Sequence, residues 1–236
     1  MNNKTYLECL FDSDKPLIIY RVKDGFDVYT DFSKKIRLNK NNAKNFFNKI
    51  SKIKNLNNKF FDGYIGFLSY ELQCKLIDIK IPKQKSNGFS DNFFYKPETL
   101  IKIRKSIKVF STLEDFKEKK ELQISNKKFF HEKKFNVNLN LKQYTKFFKS
   151  FSKKIREGKT YQIKICQKYR NKSYIDSVQF FWKLMAVNTS PESFMIRDLN
   201  YSIISCSPET LIDKKGKQII TRPIAGTLKR NKKLTL

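Results

Sequence analysis

Two short apolar runs, 17–22 and 26–30, flank Lys23, Asp24 and Gly25, and that turn chemistry between β-branched and aromatic residues predicts a β-hairpin. From 42 to 53 the period changes, and Ala43, Phe46, Phe47, Ile50 and Ile53 fall on one face of a helix. A strand is expected over 64–72, opened by Gly63 and interrupted by Gly66; glycine inside a strand marks a bulge or a close backbone approach. The polar stretch 80–95, with Pro82 and Gly88, reads as a loop, and 99–103 with 106–111 as a second hairpin. Over 114–134 charge is dense and no period stands out, which suggests a peripheral element and a linker. The clearest helix is 141–155, where Leu141, Tyr144, Phe147, Phe148, Phe151 and Ile155 form one stripe and lysines occupy the other side. Gly158 stands where a helix C-terminal glycine belongs, and a strand is expected from it to Tyr169. A second helix follows over 176–187, with Val178, Phe181, Trp182 and Met185 at helical spacing, and then a strand over 193–197.

The stretch 201–230, YSIISCSPETLIDKKGKQIITRPIAGTLKR, reads as strand, tight turn, strand, hairpin, strand and second tight turn. Pro208 cannot donate to a central ladder, so Ser207-Pro208-Glu209 puts a carboxylate where the backbone leaves the sheet. Ala225, Gly226 and Thr227 follow Pro223 with small side chains, free N–H groups and one hydroxyl, beside Arg222, Lys229 and Arg230. Such a spot suits an anionic, oxygen-rich ligand. A surface hairpin ending in a basic turn carries the same pattern.

Composition narrows the field. Fifty Lys and Arg against 22 Asp and Glu give a formal charge of +28, enough to attract nucleic acid or anionic lipid non-specifically. The lysines are spread along the chain in a background rich in Phe, Ile and Asn, and no helix-turn-helix, zinc-finger or RNP-like motif accompanies them. No specific nucleic-acid partner is expected. Cys9, Cys74, Cys166 and Cys206 are scattered without a CxxC, and His131 is the one histidine, so no Cys/His metal cluster is expected. Cys166 and Cys206 sit within apolar stretches read as strands. Scattered thiols and the lack of a long apolar segment point to a soluble, cytoplasmic protein away from membranes.

SPE followed by TRPIAGT is similar to the paired motifs of the chorismate-utilising enzymes, which include anthranilate synthase component I, aminodeoxychorismate synthase component I and the isochorismate and salicylate synthases. GKTYQIKICQKY, from Gly158 to Tyr169, resembles that family's G-x-x-[YF]-Q-V-x-L-x-x-R-[YF] segment, and GYIGFLSYEL, from Gly63, resembles its G-x-x-G-[YF]-x-x-Y-[DE] segment. Four motifs occur in the family's order. The resemblance implies an α+β fold, with antiparallel β-sheets packed as a sandwich and flanking helices. Residues 1–135 would form an amino-terminal region, and 136–236 the first part of a chorismate-binding domain that stops after PIAGT.

The family's reaction adds a nucleophile to the chorismate ring and expels the C4 hydroxyl, with Mg²⁺ holding a carboxylate. By its place in SPE, Glu209 matches the general acid that would protonate the departing hydroxyl. Gly226 and Thr227 match positions that contact substrate through a backbone N–H and a hydroxyl. The residue matching Gln162 is a water-activating lysine in the isochorismate and salicylate synthases; an amide has no such basicity, which favours ammonia as nucleophile. Aminodeoxychorismate synthases typically carry a nucleophilic lysine where Ala225 stands. Gln162 with Ala225 is the anthranilate synthase combination, with aminodeoxychorismate synthase the alternative and a non-catalytic basic interaction protein the alternative of another class. The ammonia would come from a separate glutamine amidotransferase.

Asn188-Thr189-Ser190-Pro191-Glu192 resembles the family's N-P-x-P-[FY] segment, part of the tryptophan site in feedback-regulated members. Thr189 replaces its first proline and Glu192 its aromatic residue, and no LLES-like stretch lies near the amino terminus. The family's magnesium-binding glutamates and active-site histidine lie beyond PIAGT, and His131 precedes the motifs. Residues 1–236 alone are therefore expected to leave chorismate unchanged.

Overall fold

The computed structural model describes residues 3–52, 63–80, 92–114, 130–224 and 226. The fold is α+β. In chain order it comprises α1 (Asn3–Asp12), β1 (Leu17–Val22), β2 (Gly25–Arg37), α2 (Lys40–Ile50), β3 (Ile65–Leu68), α3 (Tyr70–Leu76), β4 (Asn92–Ile103) and β5 (Ile107–Ser111). After these come β6 (Asn136–Val137), α4 (Leu141–Arg156), β7 (Tyr169–Arg170), α5 (Ser177–Val187), β8 (Glu192–Arg197), β9 (Ser202–Ser207), β10 (Thr210–Lys215) and β11 (Gln218–Arg222). The chain forms two compact units: 1–125 together with 177–236, and 126–176.

In the larger unit, seven strands make one antiparallel sheet in the order β3-β4-β2-β1-β8-β9, with β5 on the β4 edge beside β3. The β1–β2 hairpin closes as expected, Val22 opposite Gly25 with a two-residue turn between. Strand alternation sends neighbours to opposite faces. Leu17, Ile19, Val28, Ile101 and Met195 pack on one face against Tyr6, Leu7 and Leu10 of α1 and Val178, Phe181 and Met185 of α5. Each such side chain contributes roughly 1.5–3 kcal/mol by burial. The other face gathers Ile18, Tyr29, Phe93, Tyr95, Leu100 and Ile196, and among the described residues no helix contributes to that cluster.

Three details anchor the sheet. Arg197 at the end of β8 donates to the carbonyls of Leu10, Phe11 and Lys15 at 2.8, 2.9 and 3.0 Å, and so satisfies the C-terminal end of α1. Asp198 is buried and accepts from Tyr95 Oη at 2.8 Å, with Lys35 Nζ on its second oxygen. At Gly66 the β3 backbone lies so close to β4 that a Cβ would meet the Phe93 carbonyl oxygen at 2.0 Å, the close approach expected there.

Two expectations are corrected in this unit. The strand over 64–72 ends at Leu68, because Ser69 takes extended geometry as an N-cap, its side chain accepting from the Leu72 N–H. Glu71 then favours the first turn of α3. The loop over 80–95 is strand from Asn92 onward, with Phe93 and Tyr95 turned into the core; 81–91 lie outside the described residues. The second hairpin forms as expected, Ile103 opposite Ile107. Most of 114–134 lies outside the described residues.

The smaller unit is organised on α4. Asn140 and Gln143 form a reciprocal capping box, and Gly158, with φ of 69°, follows its C-cap. The strand expected from Gly158 to Tyr169 is not formed. Among the described residues no strand pairs with 161–167, and pairing begins only where Tyr169 meets Val137 in the β6–β7 pair. Cys166 is accordingly exposed and outside any strand, whereas Cys206 is half-buried in β9. None of the α4 side chains is buried. Among the described residues no helix is long and apolar enough to cross a membrane.

Candidate active site

Strand β9 runs antiparallel to β8 until Ser207, which lies opposite Glu192. Pro208 offers no N–H to continue the ladder, and the chain leaves the sheet. The Ser207 hydroxyl accepts the Glu209 N–H at 3.3 Å and holds the corner. Thr210 then opens β10, which pairs with β11 in a two-stranded ribbon. Glu209 is therefore exposed at the junction of sheet and ribbon, as its place after Pro208 predicts.

The ribbon folds back so that Glu209 Oε1 accepts the backbone N–H of Ile224 at 3.2 Å. That bond joins the Ser207–Glu209 corner to the turn after Pro223. Two residues on, Gly226 has φ of 95°, a left-handed conformation that favours glycine. Ala225 and Thr227 lie outside the described residues. Gln162 belongs to the other compact unit, where it is exposed and its carbonyl accepts from the Thr160 hydroxyl at 3.1 Å.

A cavity of about 710 Å³ opens over the helix-free face of the sheet. Ile18, Tyr29, Phe194 and Ile196 supply apolar and aromatic wall, Tyr64 and Gly66 the β3 edge, and Ser207, Glu209 and Thr210 the polar corner. Apolar walls with a few convergent polar groups suit a small ring-bearing ligand.

Glu192 also lines the cavity, with both oxygens engaged. Its Oε2 accepts from Tyr20 Oη at 2.5 Å and its Oε1 from Thr210 Oγ1 at 2.5 Å. Burial, and then the hydrogen bond to Glu192, push the Tyr20 hydroxyl well above the usual tyrosine range, so it remains a donor. The sequence marks Glu192 only as an unusual residue in the 188–192 segment. Its partners Tyr20 and Thr210 lie 172 and 18 positions away and become neighbours only through strand pairing. Asp198, buried beside Lys35, does not line the cavity and ties the end of β8 to β2.

Magnesium requires a convergent set of oxygen ligands. Among the described residues no group of three or more His, Cys, Asp or Glu side chains is placed to hold a metal ion.

Residues 7–235 match the family described as chorismate binding enzyme. The chain belongs to that family. It is 30% identical over 201 residues to an anthranilate synthase component 1 of Buchnera aphidicola subsp. Pemphigus spyrothecae, covering 76% of this chain and 38% of that protein. It is 21% identical over 192 residues to the anthranilate synthase component 1 of Thermococcus kodakarensis, covering 74% of this chain and 40% of that protein. A shorter match, 36% identical over 78 residues, joins it to the aminodeoxychorismate synthase component 1 of Bacillus subtilis, 33% of this chain and 17% of that protein. The chain thus spans about two fifths of the relatives it matches over most of its own length.

Proposed function

We propose that this chain carries the general-acid portion of an anthranilate synthase component 1-like enzyme, acting on chorismate with ammonia as nucleophile. The observation that supports it best is the bond from the Ile224 N–H to Glu209 Oε1, which ties the cavity-lining Glu209 of SPE to the start of the PIAGT segment. With Oε1 engaged, Oε2 is the oxygen left to hold a transferable proton. Ammonia adds to the ring, Glu209 gives its proton to the departing C4 hydroxyl, and water leaves; loss of the side chain as pyruvate then yields anthranilate. Gly226 and Thr227 contribute an N–H and a hydroxyl to the substrate, and the methyl of Ala225 forms no covalent bond to the ring. Gln162, whose amide has no basicity to activate water, supports ammonia as the nucleophile.

Within this proposal a second sheet packs on the helix-free face and completes the sandwich, and a glutamine amidotransferase delivers ammonia. A magnesium ion, implied by the family resemblance, would neutralise the substrate carboxylate. The match to aminodeoxychorismate synthase component 1 keeps that product as the second reading.

The test has two arms. Residues 1–236 with chorismate, Mg²⁺ and ammonia are expected to consume no substrate above a no-protein control, and turnover abolished by Glu209→Gln would overturn the dependence on further residues. The same chain joined to the unmatched remainder of the Buchnera relative is expected to release pyruvate and form fluorescent anthranilate, with Glu209→Gln lowering the rate at least ~100-fold. Aminodeoxychorismate without pyruvate would favour the second reading. Isochorismate or salicylate would remove both.

A further inference from the structure

Glu192 is a carboxylate in the cavity that the acid chemistry does not use. It opens β8, while its two hydrogen-bond partners come from different directions. Tyr20 lies on β1, the strand paired with β8, and Thr210 is the first residue of β10 and directly follows Glu209. The β10–β11 ribbon is a separate two-stranded sheet, and its bulge between Thr210 and Asp213 loosens the ladder next to the corner. The bond from Thr210 Oγ1 to Glu192 therefore fastens the ribbon to the large sheet at the residue beside Glu209. Thr210 is 9% exposed, so water competes weakly for that hydroxyl.

We infer that Glu192 is a positioning residue: by holding the hydroxyls of Tyr20 and Thr210 it sets the corner from which Glu209 meets Ile224. The inference rests on the proposed role of Glu209. A carboxylate is suited to the task because both oxygens accept, one for each hydroxyl, and ionised acceptors make the stronger bonds. A glutamine keeps one accepting oxygen and loses the other. An alanine loses both. On the far side, Thr210→Val removes the hydroxyl while keeping the shape, and Thr210→Ser restores it.

Amide hydrogen exchange reads the effect without substrate, in the purified 236-residue chain. In Glu192→Ala and Thr210→Val, exchange at the Ile224 N–H, the amide bonded to Glu209, should rise about tenfold. Thr210→Ser should stay within about twofold of the parent, while the β1–β2 amides keep their rates in every variant. Parent-like exchange at Ile224 in both Glu192→Ala and Thr210→Val would overturn the inference. So would equal acceleration across the β1–β2 hairpin, which would make Glu192 a general structural residue. In the joined protein described above, Thr210→Val should lower kcat about tenfold with KM little changed, and Thr210→Ser should recover it. A Glu209→Gln protein that still turns over removes the proposed acid, and that result is read in the rate assay, separately from the exchange at Ile224.

Discussion

Helices α4 and α5 carry apolar stripes of similar make and meet opposite surroundings. In α5, Val178, Phe181 and Met185 are buried against the sheet, Phe181 at 0% exposure. Its ring meets Phe26 edge-on at 6.0 Å. In α4 none of the six apolar stripe residues is buried: Leu141 is 82% exposed, Phe148 56%, and Phe147 stacks on Phe151 of its own helix. The amphipathic period shows that a face exists, and the long-range contacts decide what lies on it. For α4 the local signals alone, a capping box and a terminal glycine, are enough to define the helix.

Truncating one aromatic ring in each helix breaks or supports the comparison most directly. Phe181→Ala removes a fully buried ring from the face shared by α1, α5 and the sheet, and should cost about 3–5 kcal/mol. Phe147→Ala removes a partly exposed ring and should cost less than about 1 kcal/mol. Urea unfolding of the two variants against the parent measures both. Equal losses would mean that α4 is as deeply packed as α5.

Acid sensitivity gives a second, smaller contrast. Burial raises the Asp198 carboxyl, but Lys35, the Tyr95 hydroxyl and the Leu199 N–H pull harder the other way and hold it below the usual carboxylate range. The folded state therefore binds this proton less readily than the unfolded chain. The resulting stability is present above about pH 4 and is lost as pH falls below that value toward the lowered one. At neutral pH, Asp198→Asn should cost about 1–3 kcal/mol, since Lys35 loses its partner, and it should flatten the acid limb of the unfolding midpoint. α4 carries no carboxylate, so its helical signal should show no such limb of its own. A variant with the parent's full acid limb would assign that limb to other groups.

Much of the fold was legible in the sequence. The β1–β2 turn, the β4–β5 hairpin, helices α2, α4 and α5, and the close approach at Gly66 follow from local chemistry. The misread segments depend on partners. β3 ends early because Ser69 caps a helix in a stretch whose apolar residues also fit a strand. Asn92 to Tyr95 is strand because β2 and β3 flank it, 56 and 30 positions away in the pairs Arg37↔Phe93 and Ile65↔Tyr95, and no local pattern encodes that. The expected strand through Gln162 has the residues of a strand but no ladder. At the site, Pro208 made the position of Glu209 readable, whereas the grip of Glu192 on Thr210 and Tyr20 needed three-dimensional pairing to appear.

The finest distinction comes from one capping motif used in both units. Asn39 caps α2 in a reciprocal box with Asn42, as Asn140 caps α4 with Gln143. Replacing either Asn by Ala frees the N–H groups of the first turn and costs about 1 kcal/mol of helix stability. The two losses should be read out differently. Ala43 and Phe46 bury α2 in a cluster with Leu38 and Leu72, so that helix cannot fray without exposing apolar surface. Asn39→Ala should therefore lower the global unfolding free energy by about 1 kcal/mol. α4 has no buried residue to hold its first turn, and Asn140→Ala should instead speed exchange at Gln143, whose N–H the Asn140 side chain accepts, about fivefold, with the unfolding midpoint of the sheet unchanged. A global loss from Asn140→Ala equal to that from Asn39→Ala would show α4 unfolding together with the sheet, and would end the contrast between the two helices.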